Sequence, residues 1–198
     1  MSTSSLIVRS VTNVDSAGFA TTIFLTELGW MGLAWRESTV VGLVFGHPSQ
    51  DTARSALRRL LRLSEPRPFV VGRGNKVTTT RTVEQLVDRL CLFTAGEPVD
   101  FADVSIDTEH LTPFARRVTA ACRRLGWGET CTYGQLAAAC GSPDAARAVG
   151  QVMAANRYPL IVPCHRVLAA GGRLGGYSAP QGLAMKRRLL AMEQHALR

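Results

Sequence analysis

Apolar positions in the first half of the chain follow two periods. Thr21 to Leu28, Met31 to Arg36 and Thr39 to Phe45 are β-rich runs separated by Gly29-Trp30 and Glu37-Ser38, the pattern of an antiparallel meander. Ala53, Ala56, Leu57, Leu60 and Leu61 share one helical stripe, and Val83, Leu86, Val87 and Leu90 share another. Between these helices the segment 66–76, rich in Pro, Gly and Arg, reads as a loop with a short strand around Phe69 to Val71. Segment 95–109 carries Gly96, Pro98 and a cluster of acids and reads as a linker. Trp30, Trp35 and Phe45 are assigned to the core.

The second half is marked by helix signals. Thr112-Pro113 supplies an N-cap and a first-turn proline, after which Phe114, Val118, Ala121, Cys122 and Leu125 share a face up to Gly126. Thr132 and Gln135 stand in capping-box spacing and open a second helix with Tyr133, Leu136, Ala137 and Cys140 on its buried stripe. Gly141 ends it, and Ser142-Pro143 is expected to start the next helix at once. So tight a connection is that of a helix-turn-helix. In this next helix Ala146, Val149, Gly150 and Met153 are expected inward. Arg147, Ala148, Gln151 and Ala155 face outward, small residues around one long cation, a surface able to approach a nucleic-acid groove. The same geometry also serves as plain core packing. A last helix has Leu183, Met185, Leu189, Leu190 and Met192 on its apolar side.

Composition bounds the class. The chain has 198 residues, 46% of them hydrophobic and 19% charged, enough for one or two cores. No stretch approaches the roughly 18 apolar residues of a membrane span. Met1 to Ser5 carry neither the basic region nor the apolar core of a secretory signal. Five cysteines without paired spacing suit a reducing cytoplasm. No Cys-x-x-Cys occurs and the four histidines are scattered, so no metal site is expected.

Charge is uneven along the chain. Up to Thr112 the net charge is −1; from Pro113 to Arg198 it is +9, nearly all of it arginine. Such an excess suits a polyanion, because the guanidinium fork matches phosphate geometry. A solvated basic surface is the alternative.

Cys91, Cys122, Cys131 and Cys140 fall on or beside helical stripes and read as packing residues. Cys164 differs, standing between Pro163 and the basic pair His165-Arg166 after the apolar run Leu160-Ile161-Val162. Neighbouring positive charge and an imidazole favour the thiolate over a thiol whose free pKa is about 8.5. Adjacent residues of a strand point to opposite faces, so His165 meets Cys164 directly only if the chain turns there; otherwise a water bridges them. A Cys-His pair also serves as metal ligand. Glu193, four residues after Leu189 at a helix C-terminus where the macrodipole disfavours an acid, either faces solvent or partners a histidine. If it orients His165, then Cys164, His165 and Glu193 are nucleophile, base and orienting acid.

Thr132-Tyr133, Ala145-Ala146-Arg147-Ala148-Val149-Gly150, Asn156, Pro159, Pro163-Cys164-His165-Arg166-Val167, Gly175-Gly176-Tyr177-Ser178 and Leu189-Leu190-Ala191-Met192-Glu193 together resemble the O6-alkylguanine-DNA alkyltransferases. Close matching runs from about Pro113 to Glu193. The resemblance implies an α/β two-domain protein, with an N-terminal ribonuclease-H-like α/β domain over residues 1–108. Residues 109–198 would form a mostly helical winged helix-turn-helix domain that binds DNA and accepts the alkyl group.

It further implies direct-reversal repair, a single irreversible transfer of an alkyl group from O6-alkylguanine in duplex DNA to Cys164, without a cofactor. The damaged base must leave the stack to be reached. Arg147 is implied to fill its place, with Thr132, Ala148, Gly150 and Gln151 against the DNA. Tyr133 is implied to push the target phosphate and then hydrogen-bond the departing guanine. Asn156 would brace the hinge; Pro159, Val167, Tyr177 and Ser178 would form the base pocket; His165 would act as base through water, oriented by Glu193. A monomer in the cytoplasm is implied. Two departures stand out: Arg157 occupies the hinge position where proline is common in the family, and Ala179-Pro180-Gln181-Gly182 makes the lid about two residues longer. Two other readings remain open from the residues alone, a DNA binder without transfer and a cysteine hydrolase.

Overall fold

The computed structural model of the protein describes residues 10–14, 19–62 and 81–195. The loop expected over 66–76 and the strand around Phe69 lie outside them. Four strands, β1 (Ser10–Val14), β2 (Ala20–Thr26), β3 (Gly29–Arg36) and β4 (Thr39–His47), form an antiparallel meander in that order. β1 was not expected from the pattern. The first turn falls at Glu27-Leu28 rather than Gly29-Trp30. The Thr26 hydroxyl accepts from Leu28 N and donates to the Gly29 carbonyl, closing the turn two residues earlier. Gly29 then sits at φ +102, where an added Cβ would lie 2.8 Å from the His47 carbonyl oxygen.

Both faces of the sheet are covered, which is why its strands read as near-continuous apolar runs. Helix α1 (Gln50–Leu60), opened by a Ser49/Thr52 capping box, closes one face over Ile23, Ala34, Val41, Ala53 and Leu57. Met31, Leu33 and Trp35 point the other way, as strand alternation requires, into the main core. There they join Leu86, Leu90 and Phe93 of helix α2 (Arg81–Thr94).

The segment expected to be a linker is packed instead. Val40 N donates to Ser105 O at 2.9 Å, Asp107 N donates to Val40 O at 2.8 Å, and Phe101 is buried. Arg123 Nη2 bonds the carbonyls of Phe101, Ala102 and Val104, so orphan backbone acceptors of this irregular stretch are satisfied by one guanidinium.

Beyond it follow α3 (Pro113–Arg123), β5 (Cys131–Thr132), α4 (Tyr133–Ala139), α5 (Ala146–Ala154), β6 (Val167–Leu168) and α6 (Leu183–His195). The expected caps hold: Thr112 accepts from Ala115 N, and Thr132 and Gln135 cap each other. α5 starts at Ala146 rather than Ser142-Pro143. Gly141, at φ +71, ends α4, and Ser142 N folds back to Ala137 O; a turn from Ser142 O to Ala145 N then precedes the helix. Residues Ala146 and Gly150 are half-buried rather than inward, because their face borders a cavity. β5 and β6 pair in parallel, Cys131 with Val167 and Thr132 with Leu168, joining the start of α4 to the segment after Cys164. The main core runs without a break from the sheet to α6.

Candidate active site

The apolar run before Cys164 does not continue as a strand. Leu160 lies at φ +71, Cys164 N donates to Val162 O at 2.8 Å, and Cys164–Arg166 then form a 3-10 turn in which Arg166 N donates to Pro163 O at 2.9 Å. The turn resolves the alternation problem, seating Cys164 at the cavity floor and His165 in the core. Asn156, in the loop leaving α5, holds it from behind. Its Nδ2 donates to Val162 O at 2.9 Å and to Cys164 Sγ at 3.2 Å, while its Oδ1 accepts from Tyr158 N at 2.9 Å. Burial pushes the Cys164 thiol up; the Asn156 bond and the Lys186 charge pull the other way. The resting group is therefore a buried thiol that needs a base.

The next residue in sequence carries an imidazole that can serve as one. His165 is fully buried, with Nε2 2.8 Å from Glu193 Oε1. An ionised carboxylate only accepts, so Nε2 carries the proton and Nδ1 presents its lone pair. Nδ1 is buried without a hydrogen-bond partner among the described residues. Burial lowers the imidazole pKa against the pull of Glu193, keeping it neutral and available as a base near pH 7.

Glu193 is fully buried and does not face solvent. Burial alone would raise its carboxyl, but hydrogen bonds from His165 and Arg166 hold it at about 2. Arg166 Nε and Nη2 reach the carboxylate at 2.8–3.1 Å, Arg166 Nη1 bonds Leu125 O, and Gly128 N donates to Glu193 Oε2 at 3.0 Å. Arg166 is thus the main partner that the sequence reading missed. The signal was its position beside His165, which in a turn rather than a strand brings both side chains to one carboxylate.

Seven residues before Glu193, and so two turns away on the same helix, Lys186 is also fully buried and donates to Val167 O at 2.6 Å. It too was missed, since the sequence reading assigned it no role.

A cavity of about 740 Å³ opens above Cys164. Thr132 and Tyr133 form one wall, Arg147 and Gly150 of α5 another, and Tyr177 and Ser178 a third. Tyr133 packs on Gly175, where a Cβ would come within 2.7 Å of its ring and hydroxyl. A second cavity of about 550 Å³ reaches Cys164 from the sheet side, between β4, α1 and the lid Ala179-Pro180; Asn156 and Pro159 belong to this one. Val167 is buried beneath the first cavity rather than lining it, and Ala148 and Gln151 lie on α5 outside it, half-buried and exposed.

The arrangement gathers a thiol, an imidazole and a carboxylate under an open cavity, a set that can generate a thiolate nucleophile. The family model for the DNA-binding domain of 6-O-methylguanine DNA methyltransferase matches residues 113–195. The methylated-DNA–protein-cysteine methyltransferase of Mycobacterium tuberculosis strain H37Rv is 38% identical over 143 residues, covering 63% of this chain and 84% of the relative. The protein of that name from Mycolicibacterium paratuberculosis is 43% identical over 145 residues, covering 73% and 82%. A crystal structure of M. tuberculosis OGT in complex with DNA superposes with TM-score 0.64 at 30% identity, covering 89% of this chain and 93% of that one. The chain belongs to the methylated-DNA–protein-cysteine methyltransferase family.

Proposed function

We propose that the protein repairs O6-alkylguanine in duplex DNA by moving the alkyl group onto its own Cys164, once per molecule. The observation that carries this reading is the seat of Cys164 on the floor of an open cavity roomy enough for a purine base, with His165 and Glu193 behind it.

Duplex DNA lies against the exposed side of α5. Arg147, at the mouth of the cavity, takes the place of the extruded guanine in the stack, which offsets part of the unstacking cost of a few kcal/mol. Small residues there, Ala148 and Gly150, allow close approach, and Thr132 and Gln151 contact the strand. Tyr133 turns the target phosphate and afterwards hydrogen-bonds the leaving guanine. Backbone at Cys164 reads the base, and Tyr177 and Ser178 close the pocket, Ser178 towards the guanine oxygen; Val167 supports the floor from beneath, and Pro159 flanks Cys164 from the second cavity.

His165 Nδ1 takes the thiol proton through a water, and Glu193 stabilises the imidazolium. The thiolate attacks the alkyl carbon; an S–C bond forms, the C–O6 bond breaks, and its electron pair leaves with guanine, which is reprotonated. The product thioether has no route back to thiol, and the chemistry needs no cofactor.

The architecture divides accordingly into an N-terminal ribonuclease-H-like α/β unit over 1–108 and a C-terminal winged helix-turn-helix unit over 109–198, acting as a monomer in the cytoplasm. Support comes from the four-stranded meander with its helices, and from α4, α5 and the β5/β6 pair.

The test is intact mass after incubation with excess duplex carrying one O6-methylguanine, beside Cys164→Ala. A gain of one methyl on the Cys164 peptide, absent from the variant, is the expected result. Tight binding to that duplex without mass gain would replace repair by lesion sensing.

A further inference from the structure

Lys186 is a fully buried ammonium beside two tyrosines of the cavity wall, Tyr133 and Tyr177, and the transfer mechanism leaves it unused. Burying such a charge is costly unless it is paired. Among the described residues Lys186 makes no ion pair. Its one hydrogen bond goes to Val167 O at 2.6 Å, and its Nζ stands 6.0 Å from the ring centroid of Tyr133 and 5.9 Å from that of Tyr177. Two aromatic faces and one carbonyl offset part of the cost, but no anion completes the set. The carboxylate on the same face of α6, Glu193, is already taken by His165 and Arg166.

Tyr133 at the start of α4 and Tyr177 before α6 stand over the Lys186 ammonium, and both line the cavity together with Cys164; Cys164 and His165 of the 3-10 turn feel its charge. The tyrosines and the imidazole are neutral near pH 7. Only Cys164 becomes an anion during the reaction.

We propose that Lys186 is a positioning residue for the transfer: its ammonium balances the charge of the Cys164 thiolate, and its hydrogen bond to the Val167 carbonyl braces the segment beneath the cavity. Helix α6 thereby supplies a carboxylate to the base and a cation to the nucleophile. Lys186 neither gives nor takes a proton. The proton leaves Cys164 for His165, and the ammonium keeps its charge while the S–C bond forms. Burial lowers the Lys186 pKa and the proximity of Cys164 raises it again, as a mutual pair requires.

The inference rests on the alkyl-transfer reading for its purpose, but its test does not need DNA. The rate of Cys164 alkylation by iodoacetamide, followed by peptide mass against pH, is compared in the full chain for wild type, Lys186→Gln, Lys186→Met and Lys186→Arg. Glutamine keeps a donor for Val167 O and removes the charge. The expected result is an inflection at least one pH unit higher in the Gln and Met variants, hence about tenfold slower reaction near neutral pH, recovered at higher pH. Arg should restore the wild-type inflection. The same variants should transfer methyl from DNA more slowly in the same ratio at pH 7. An inflection in Lys186→Gln equal to wild type overturns the proposal, even if transfer from DNA is slowed. Should Lys186→Met fail to fold, the Gln and Arg pair alone decides. Wild type that reacts with iodoacetamide yet gains no methyl from DNA would refute repair and leave the Lys186 comparison standing.

Discussion

Asn156 donates one amide hydrogen to Cys164 Sγ at 3.2 Å and the other to Val162 O at 2.9 Å, so a single side chain sets both the turn that carries the nucleophile and the sulfur's own polarity. A donor on sulfur favours thiolate over thiol. Asn156→Ala removes it and leaves Val162 O and Tyr158 N short of a partner. The expected outcome is transfer slower by about tenfold in single-turnover assays and a stability loss of about 1–3 kcal/mol, read by urea unfolding. Wild-type transfer in this variant would show that the sulfur contact has no kinetic role.

Glu193 predicts a specific pH response. Its carboxyl is at about 2 in the fold against an ordinary 4.5, so its contribution to stability is fully present above about 4.5 and is lost as pH falls towards 2. The linkage amounts to about 3 kcal/mol. Glu193→Gln strands the Arg166 cation and should cost about 3–5 kcal/mol at pH 7. The gap between variant and wild type should then narrow between pH 4.5 and 2.5. Urea midpoints across that range give the answer, and a gap independent of pH would contradict the assignment.

Gly175 offers a substitution that separates geometry from stability. A methyl there meets the far end of the Tyr133 side chain, which can swing away, rather than backbone. Gly175→Ala should leave Tm within a few degrees yet slow transfer from duplex by about tenfold, because Tyr133 is displaced from the cavity wall. Crystals of the variant should show the ring moved. An unmoved Tyr133 with slow transfer would point elsewhere.

Arg147 should matter to duplex and not to chemistry. It is exposed on α5 at the mouth of the cavity, so Arg147→Ala should slow transfer from duplex by about ten- to a hundredfold, the cost of unstacking that it no longer offsets. Transfer from free O6-methylguanine base should change little. Wild-type binding should also weaken steeply with salt if several phosphates are contacted. Equal losses on duplex and free base would place Arg147 in the chemical step instead.

Most helix starts could be read directly, since Thr112-Pro113 and Thr132/Gln135 are local chemistry and act where they stand. The meander was visible as well, because strand runs and short turns are local too. What escaped the reading depends on contacts distant in sequence. Segment 95–109 looks like a linker until Arg123 and the edge of β4 satisfy its backbone. The Ser142-Pro143 start failed because Gly141 folds the chain back before α5 can begin. At the site, the order Cys164-His165 and the position of Glu193 made the contact between His165 and Glu193 legible. Lys186 and Arg166 did not stand out, since charge on an amphipathic helix or beside a histidine normally means solvent, and only the packed core turns them inward.

The Leu43 amide of β4 donates to the carbonyl of Arg157, the residue directly after Asn156. Along the same seam Arg188 reaches the Glu27 carbonyl and Tyr158 the carbonyl of Asp107. An evolutionary exchange of N-terminal halves between relatives would have to match this seam bond for bond. Chimeras joined near residue 108 should therefore inherit the chemistry of one parent and the thermal tolerance of neither.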